Sequence, residues 1–176
     1  MRFDFYDKLL ESAEFQDWQK KNPQAFLSHF YCQLDESFNL ISPWEVGFYD
    51  PKKDTITTFV VGKEISLRPE EAVFKKEGSL KKLDLAKVKI KLAQALIRFK
   101  KIKEKYYSLE LLLKGFAILQ YFQNKTMWNL SFATRSMNIL NIKIDAETSE
   151  VISHQLINFI ERRKDEGKEK KERQAS

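Results

Sequence analysis

The clearest pattern in the chain is an alternation of apolar and polar positions near its C-terminal end. Trp128, Leu130 and Phe132 alternate with polar neighbours, and Leu140, Ile142 and Ile144 alternate again after a short polar interruption. A period of two places one side of each segment in a core and the other outside, which predicts half-buried antiparallel strands. Asp145-Ala146-Glu147-Thr148-Ser149 is turn chemistry leading into a further short strand at Val151-Ile152-Ser153.

Earlier segments extend the picture. Phe5, Leu9, Leu10, Ala13 and Trp18 recur at helical spacing and predict one amphipathic helix over 4–21, ended by Asn22-Pro23. Strands are expected at 25–34, 44–49 and 55–61, the last two joined by a hairpin loop at Asp50-Pro51-Lys52-Lys53-Asp54, with 63–67 extending the sheet. Pro69 followed by Glu70 and Glu71 suggests a single helical turn over 69–74. Residues 75–83 read as a charged connection, and 84–90 as a pass over the surface or a short edge strand. From about Lys91 a second helix presents Leu92, Leu96, Phe99, Ile102 and Tyr106 along one face, with Ala95 at a close approach. Phe116 to Phe122 is a strand turning at Gln123-Asn124-Lys125 into the Trp128 segment. A last helix from about Gln155 is expected to bury Leu156, Ile157 and Ile160, and the charged residues 161–176 to be disordered.

A shift of 84 residues lays Trp44 on Trp128, Val46 on Leu130 and Phe48 on Phe132. It also lays Ile56, Thr58 and Val60 on Leu140, Ile142 and Ile144, and the first helix on the second. The expected fold is therefore α+β: two halves, each a helix packed on an antiparallel sheet, in a pseudo-repeat of about 84 residues. The halves span 1–74 and 91–160, joined by a basic connection at 75–90. They could pack by joining their sheets or by burying helix against helix, and both arrangements fit the sequence.

The segment WNLSFATRSMNILNIKIDAETSEVISH resembles the second half of a PepSY-type repeat, in which an aromatic-led strand is followed by a return strand ending Val/Ile-Asp-Ala-x-Thr-Gly-x-Val. Asp145, Ala146, Thr148 and Val151 match that ending in order, while Ser149 stands where the pattern usually has Gly. The whole chain is similar to a group of small uncharacterised prokaryotic proteins with such a C-terminal half; in the N-terminal half the likeness rests on FQDWQKKNPQAFL and YDPKKDTITTFVV. The resemblance implies a helix across an antiparallel sheet. In relatives it implies an inhibitory or binding role in peptidase propeptides and in exported or membrane proteins.

Charge changes the picture in one place. Residues 1–74 carry 8 basic and 13 acidic side chains, residues 75–105 carry 12 and 3, and residues 106–176 carry 11 and 9. The net +6 of the chain thus comes mainly from one segment. At 100° per residue, Lys91, Arg98, Lys101 and Lys105 fall within about 80° of one another on the second helix. Such a stripe could meet nucleic-acid phosphates or an acidic protein, or be a solvated face neutralised by the acidic N-terminal half.

Other chemistry is thin. The N-terminus meets an acid at Asp4 and no segment approaches 18 uncharged apolar residues, so neither a secretory signal nor a membrane span is expected. The single Cys32 agrees with a reducing compartment, and a cytoplasmic protein is expected. Five scattered glycines make no phosphate loop, and two histidines with one cysteine make no zinc site. His29 and Cys32, three apart in a strand, should face opposite ways. Asp50, Asp54 and Asp145 read as turn residues, His154 as a cap or surface residue, and Trp44 and Trp128 as core anchors, not a stacking platform. The expectation is a non-enzymatic protein- or peptide-binding or regulatory module without cofactor or metal, docking through an exposed sheet edge. Nucleic-acid binding through the basic stripe is the alternative.

Overall fold

The computed structural model describes residues 2–72 and 80–158. Two short helices, α1 (Asp4–Glu11) and α2 (Ala13–Lys21), precede β1 (Phe26–Leu34), β2 (Trp44–Asp50), β3 (Thr55–Val61), β4 (Ile65–Leu67) and β5 (Glu71–Ala72). Then come α3 (Leu92–Tyr106), β6 (Leu112–Phe122), β7 (Lys125–Thr134), β8 (Asn138–Asp145) and β9 (Val151–Asn158). All nine strands lie in one antiparallel sheet, ordered β4-β3-β2-β1-β6-β7-β8-β9, with β5 also on β3. The fold is α+β, as the alternation of apolar positions implies.

The two runs of strands meet where β1 pairs with β6, from His29↔Gln120 to Leu34↔Gly115. Of the two packings compatible with the sequence, the joined sheet is the one formed. A row of cross-strand partners, Leu67–Phe59–Val46–Phe30–Leu119–Trp128–Ile144–Val151, crosses the whole sheet. Its six inner members are completely buried. All three helices cover this side: Phe15 of α2 meets Phe48 and Phe59, and Phe99 of α3 meets Phe132 with ring centroids 5.0 Å apart. Trp128 donates its indole N–H to the Ile90 carbonyl at 3.0 Å, so the largest buried side chain has its one polar atom satisfied. Burial of such a ring contributes on the order of 5 kcal/mol as an upper value.

Several expectations are corrected. The helix over 4–21 breaks at Ser12, whose extended backbone (ψ 145°) ends α1 while its hydroxyl accepts from Phe15 N to cap α2. Pro69 and Glu70 are not helical, and Glu71 and Ala72 form β5 on β3; residues 73–74 of that predicted turn lie outside the described residues. Residues 84–90 add no edge strand: they run along the surface with Asp84, Ala86, Lys87 and Lys89 exposed, while Val88 and Ile90 after the 3-10 turn at Leu85–Lys87, and Leu83 before it, are buried in the core. Tyr106, expected on the buried face of α3, is 52% exposed, at the last position of the helix. The helix expected from Gln155 is strand β9, and Leu156 is 37% exposed; Ile160 and the charged tail lie outside the described residues.

The correspondence at a shift of 84 holds for β2 and β7 and fails for the next strand. Thr57, Phe59 and Val61 face the core in β3, whereas Ile56, Thr58 and Val60 face the other side. Leu140, Ile142 and Ile144 are the core-facing residues of β8. The β2–β3 loop has four residues (51–54) and the β7–β8 loop three (135–137), so the shift falls to 83 and every side chain changes face.

Ser149 sits at φ 67°, in the left-handed region that favours glycine. Ser149→Gly removes this strain while losing an exposed hydrogen bond from Arg98 Nε. Urea unfolding should show a net stabilisation of up to about 1 kcal/mol; a variant less stable than the parent would contradict the turn geometry.

Candidate binding surfaces

Strand β9 ends the sheet on one side. Its inner edge pairs with β8 from Asn138↔Asn158 to Ile144↔Val151. Among the described residues no strand lies beside residues 151–157 on their outer side. The strand, VISHQLIN, has no charge or proline, two of the devices that usually blunt an edge, and its pairing with β8 is irregular only between Lys143 and Ile144. At the opposite end β4 is only three residues long. Ser153 and Gln155 are exposed on the face away from the helices, while His154 lies on the helix side. There His154 stacks on Tyr106 (centroids 4.8 Å) and its Nδ1 lies 2.8 Å from the Tyr107 hydroxyl. Sequence reasoning missed this surface. Apolar pairs at Val151-Ile152 and Leu156-Ile157 fit a helical period as well as a strand, and pairing with β8 decides between them.

All four residues of the predicted basic stripe, Lys91, Arg98, Lys101 and Lys105, are exposed on α3. Arg98 donates to Ser149 Oγ at 3.0 Å, and Lys105 lies 4.9 Å from the centre of the Tyr106 ring. No carboxylate among the described residues forms an ion pair with any of the four. The stripe is thus formed as a surface and is not neutralised by direct pairing with described residues of the acidic N-terminal half.

The tryptophans separate in role. Trp128 is buried, whereas Trp44 is half-buried, stacked on Phe5 with centroids 4.4 Å apart and planes 6° from parallel. Its ring lines a cleft of about 550 Å³ between the start of α1 and the start of α3. Phe38 forms another wall from a left-handed backbone position (φ 70°), held by Asp35, which accepts from Ser37 N and Asn39 N.

The remaining candidates resolve into structure. Cys32 is fully buried facing the core, and burial pushes its thiol up to about 12, so no thiolate nucleophile is available at neutral pH. His29 faces the opposite side, as its spacing from Cys32 implies. Asp50 Oδ1 accepts from Lys52 N and Lys53 N, and Asp145 Oδ1 from Glu147 N and Thr148 N. Burial opposes ionisation of both, yet the turn amides, with Gln24 and Lys53 at Asp50 and Lys125 at Asp145, outweigh it and hold both carboxyls below their ordinary range. Asp54 accepts from the Tyr49 hydroxyl at 2.6 Å. No group of three or more His, Cys, Asp or Glu suited to a metal occurs among the described residues. No helix among the described residues is long and apolar enough to cross a membrane.

No family model and no curated protein matches the chain. The crystal structure of a putative lipoprotein from Clostridium difficile 630 is similar over 81% of this chain and 90% of that one, with 13% sequence identity and a TM-score of 0.48. A likeness of that size assigns neither family nor function.

His29 carries a testable consequence. Its ring lies against Gly47, where an added Cβ would collide with it. Ser28 Oγ donates to the Gly47 carbonyl at 3.0 Å and sits 2.9 Å from His29 Nδ1, so in the neutral ring the proton belongs on Nδ1, which donates to Ser28 Oγ. Burial lowers the His29 pKa from 6.5 to about 4. The unfolded chain therefore takes up the proton first: the contribution of His29 is complete above pH 6.5, declines between pH 6.5 and 4, and is lost below. Between pH 7 and 4.5, urea unfolding of the parent should lose about 2–3 kcal/mol more than that of His29→Gln. Equal losses would refute the neutral buried imidazole.

Proposed function

We propose that this chain is a non-enzymatic, cytoplasmic binding module of PepSY-like type that takes an extended peptide or a strand of a partner protein along β9. The observation that carries the reading is the outer edge of β9 over residues 151–157, uncharged strand beside which no other strand lies among the described residues. An added strand would gain main-chain hydrogen bonds there, and alternate side chains would fall on the two faces of the sheet. The same reading takes the chain as two related halves. In its support, helical residues precede five strands in the first run and four in the second, and the β2–β3 and β7–β8 hairpins correspond once the one-residue difference in their loops is allowed for.

Selection of a displayed random-peptide library on the protein, followed by hydrogen exchange, tests the docking surface. Bound peptide should slow exchange of β9 amides. Ser153→Lys with Gln155→Lys should abolish binding with unfolding unchanged within about 0.5 kcal/mol, since both side chains are exposed. Protection elsewhere, or retained binding in the double variant, would overturn the assignment.

A second reading, nucleic acid or an acidic partner on the α3 stripe, is favoured by the absence of direct ion pairs at Lys91, Arg98, Lys101 and Lys105 among the described residues. Binding to RNA or DNA should then weaken steeply with salt and vanish when all four are changed to Glu. No shift at low salt would end this reading.

A further inference from the structure

We propose that the cleft between α1 and α3 binds a small planar apolar molecule carrying one carboxylate, of the aromatic-acid class. The walls set the apolar part. Phe3, Phe5, Phe38, Trp44, Leu96 and Trp128 line a space of about 550 Å³, within the roughly 300–1,000 Å³ typical of small-molecule sites. Phe5 and Trp44 already lie face to face, so a flat ring can continue the stack beside them. The cleft opens next to exposed Leu40 and half-buried Leu92, which gives an apolar ring a route in.

The charge is set at the α3 end. Lys91 occupies the N-cap, a position where Ser, Thr, Asp or Asn usually satisfies the first amides. The first turn of α3 has no acidic residue, so the positive end of a 15-residue helix and a lysine reinforce each other. Gln94 Oε1 accepts from Lys91 N at 2.8 Å, but the amides of Leu92 and Ala93 have no acceptor among the described residues. Leu92, Ala93 and Lys91 all border the cleft. Arg2 adds a second cation, partly engaged with Asp7 at 3.1 Å. Asp4 stands on the α1 side, which directs an anion toward α3.

This local conflict, cation on cation above an aromatic hollow, is relieved by an anion whose body fills the hollow. An inorganic anion would leave the aromatic walls wet, and a neutral ring would leave the charge unanswered. The site uses no residue of β9 and stands independently of the peptide-binding reading.

Calorimetric titration of the full chain with 2-naphthoate and, separately, with 2-naphthamide tests the proposal, because the two share a ring system and differ in charge. The expected result is saturable one-to-one binding of the acid, with the amide at least roughly tenfold weaker, about 1.4 kcal/mol. Lys91→Glu should weaken the acid by a similar factor and leave the amide unchanged. Ala93→Trp, at an exposed position of the first helical turn, should fill the cleft and abolish binding of both. Circular dichroism checks that each variant is folded, and Lys91→Gln serves in place of any Lys91→Glu protein that is not. Absence of saturable binding, equal affinities for acid and amide, or binding indifferent to both substitutions would overturn the proposal.

Discussion

The structure depends on one line of cross-strand contacts. From Phe59 through Val46, Phe30, Leu119 and Trp128 to Ile144, six consecutive strands each place a fully buried apolar side chain in the same row. The middle link, Phe30 opposite Leu119, is the join between the two runs of strands. Phe3, Phe5 and Tyr6 gather around Phe30 at centroid distances of 5.0–5.2 Å, so α1 is anchored on the same link. Without it the nine strands would divide into a sheet of five and a sheet of four, each with a newly exposed edge.

Two glycines show how closely the strands are matched. Gly115 lies opposite Phe132, and a Cβ there would stand 2.5 Å from the ring; Gly47 gives the same room to His29 on the other face. In each case an aromatic ring occupies the space of the missing side chain of its cross-strand neighbour. The sheet is thus held by shape across strands as well as by backbone hydrogen bonds, and the His29 ring has a structural place against Gly47.

Much of this is legible in the sequence where period and turn chemistry agree. Trp128, Leu130 and Phe132 alternate cleanly, and Gln123-Asn124 and Asp145 announce their turns, so β7 and β8 lie where the pattern puts them. The pattern misleads where two registers look alike. Thr55 to Val61 is β-branched or aromatic on both faces, and only a loop of four residues against three decides that Thr57, Phe59 and Val61 point inward. Val151 to Asn158 carries an equally ambiguous spacing, so this edge strand reads as a helix until β8 is present to pair with it. The basic stripe is visible because helix angles follow from numbering alone. The cleft is not, since Phe38, Trp44 and Lys91 converge only through tertiary packing.

The join at β1 and β6 also sets an order of events during synthesis. Leu34 pairs with Gly115, which emerges 81 residues later, an interval of roughly 4–16 s at 5–20 residues per second. Throughout that interval β1 is the border of a growing domain, with Phe30 and Cys32 lacking half of their eventual neighbours. A ribosome that pauses between the two runs would prolong this exposed state, and a chaperone that shields β1 would act where the nascent chain is most vulnerable.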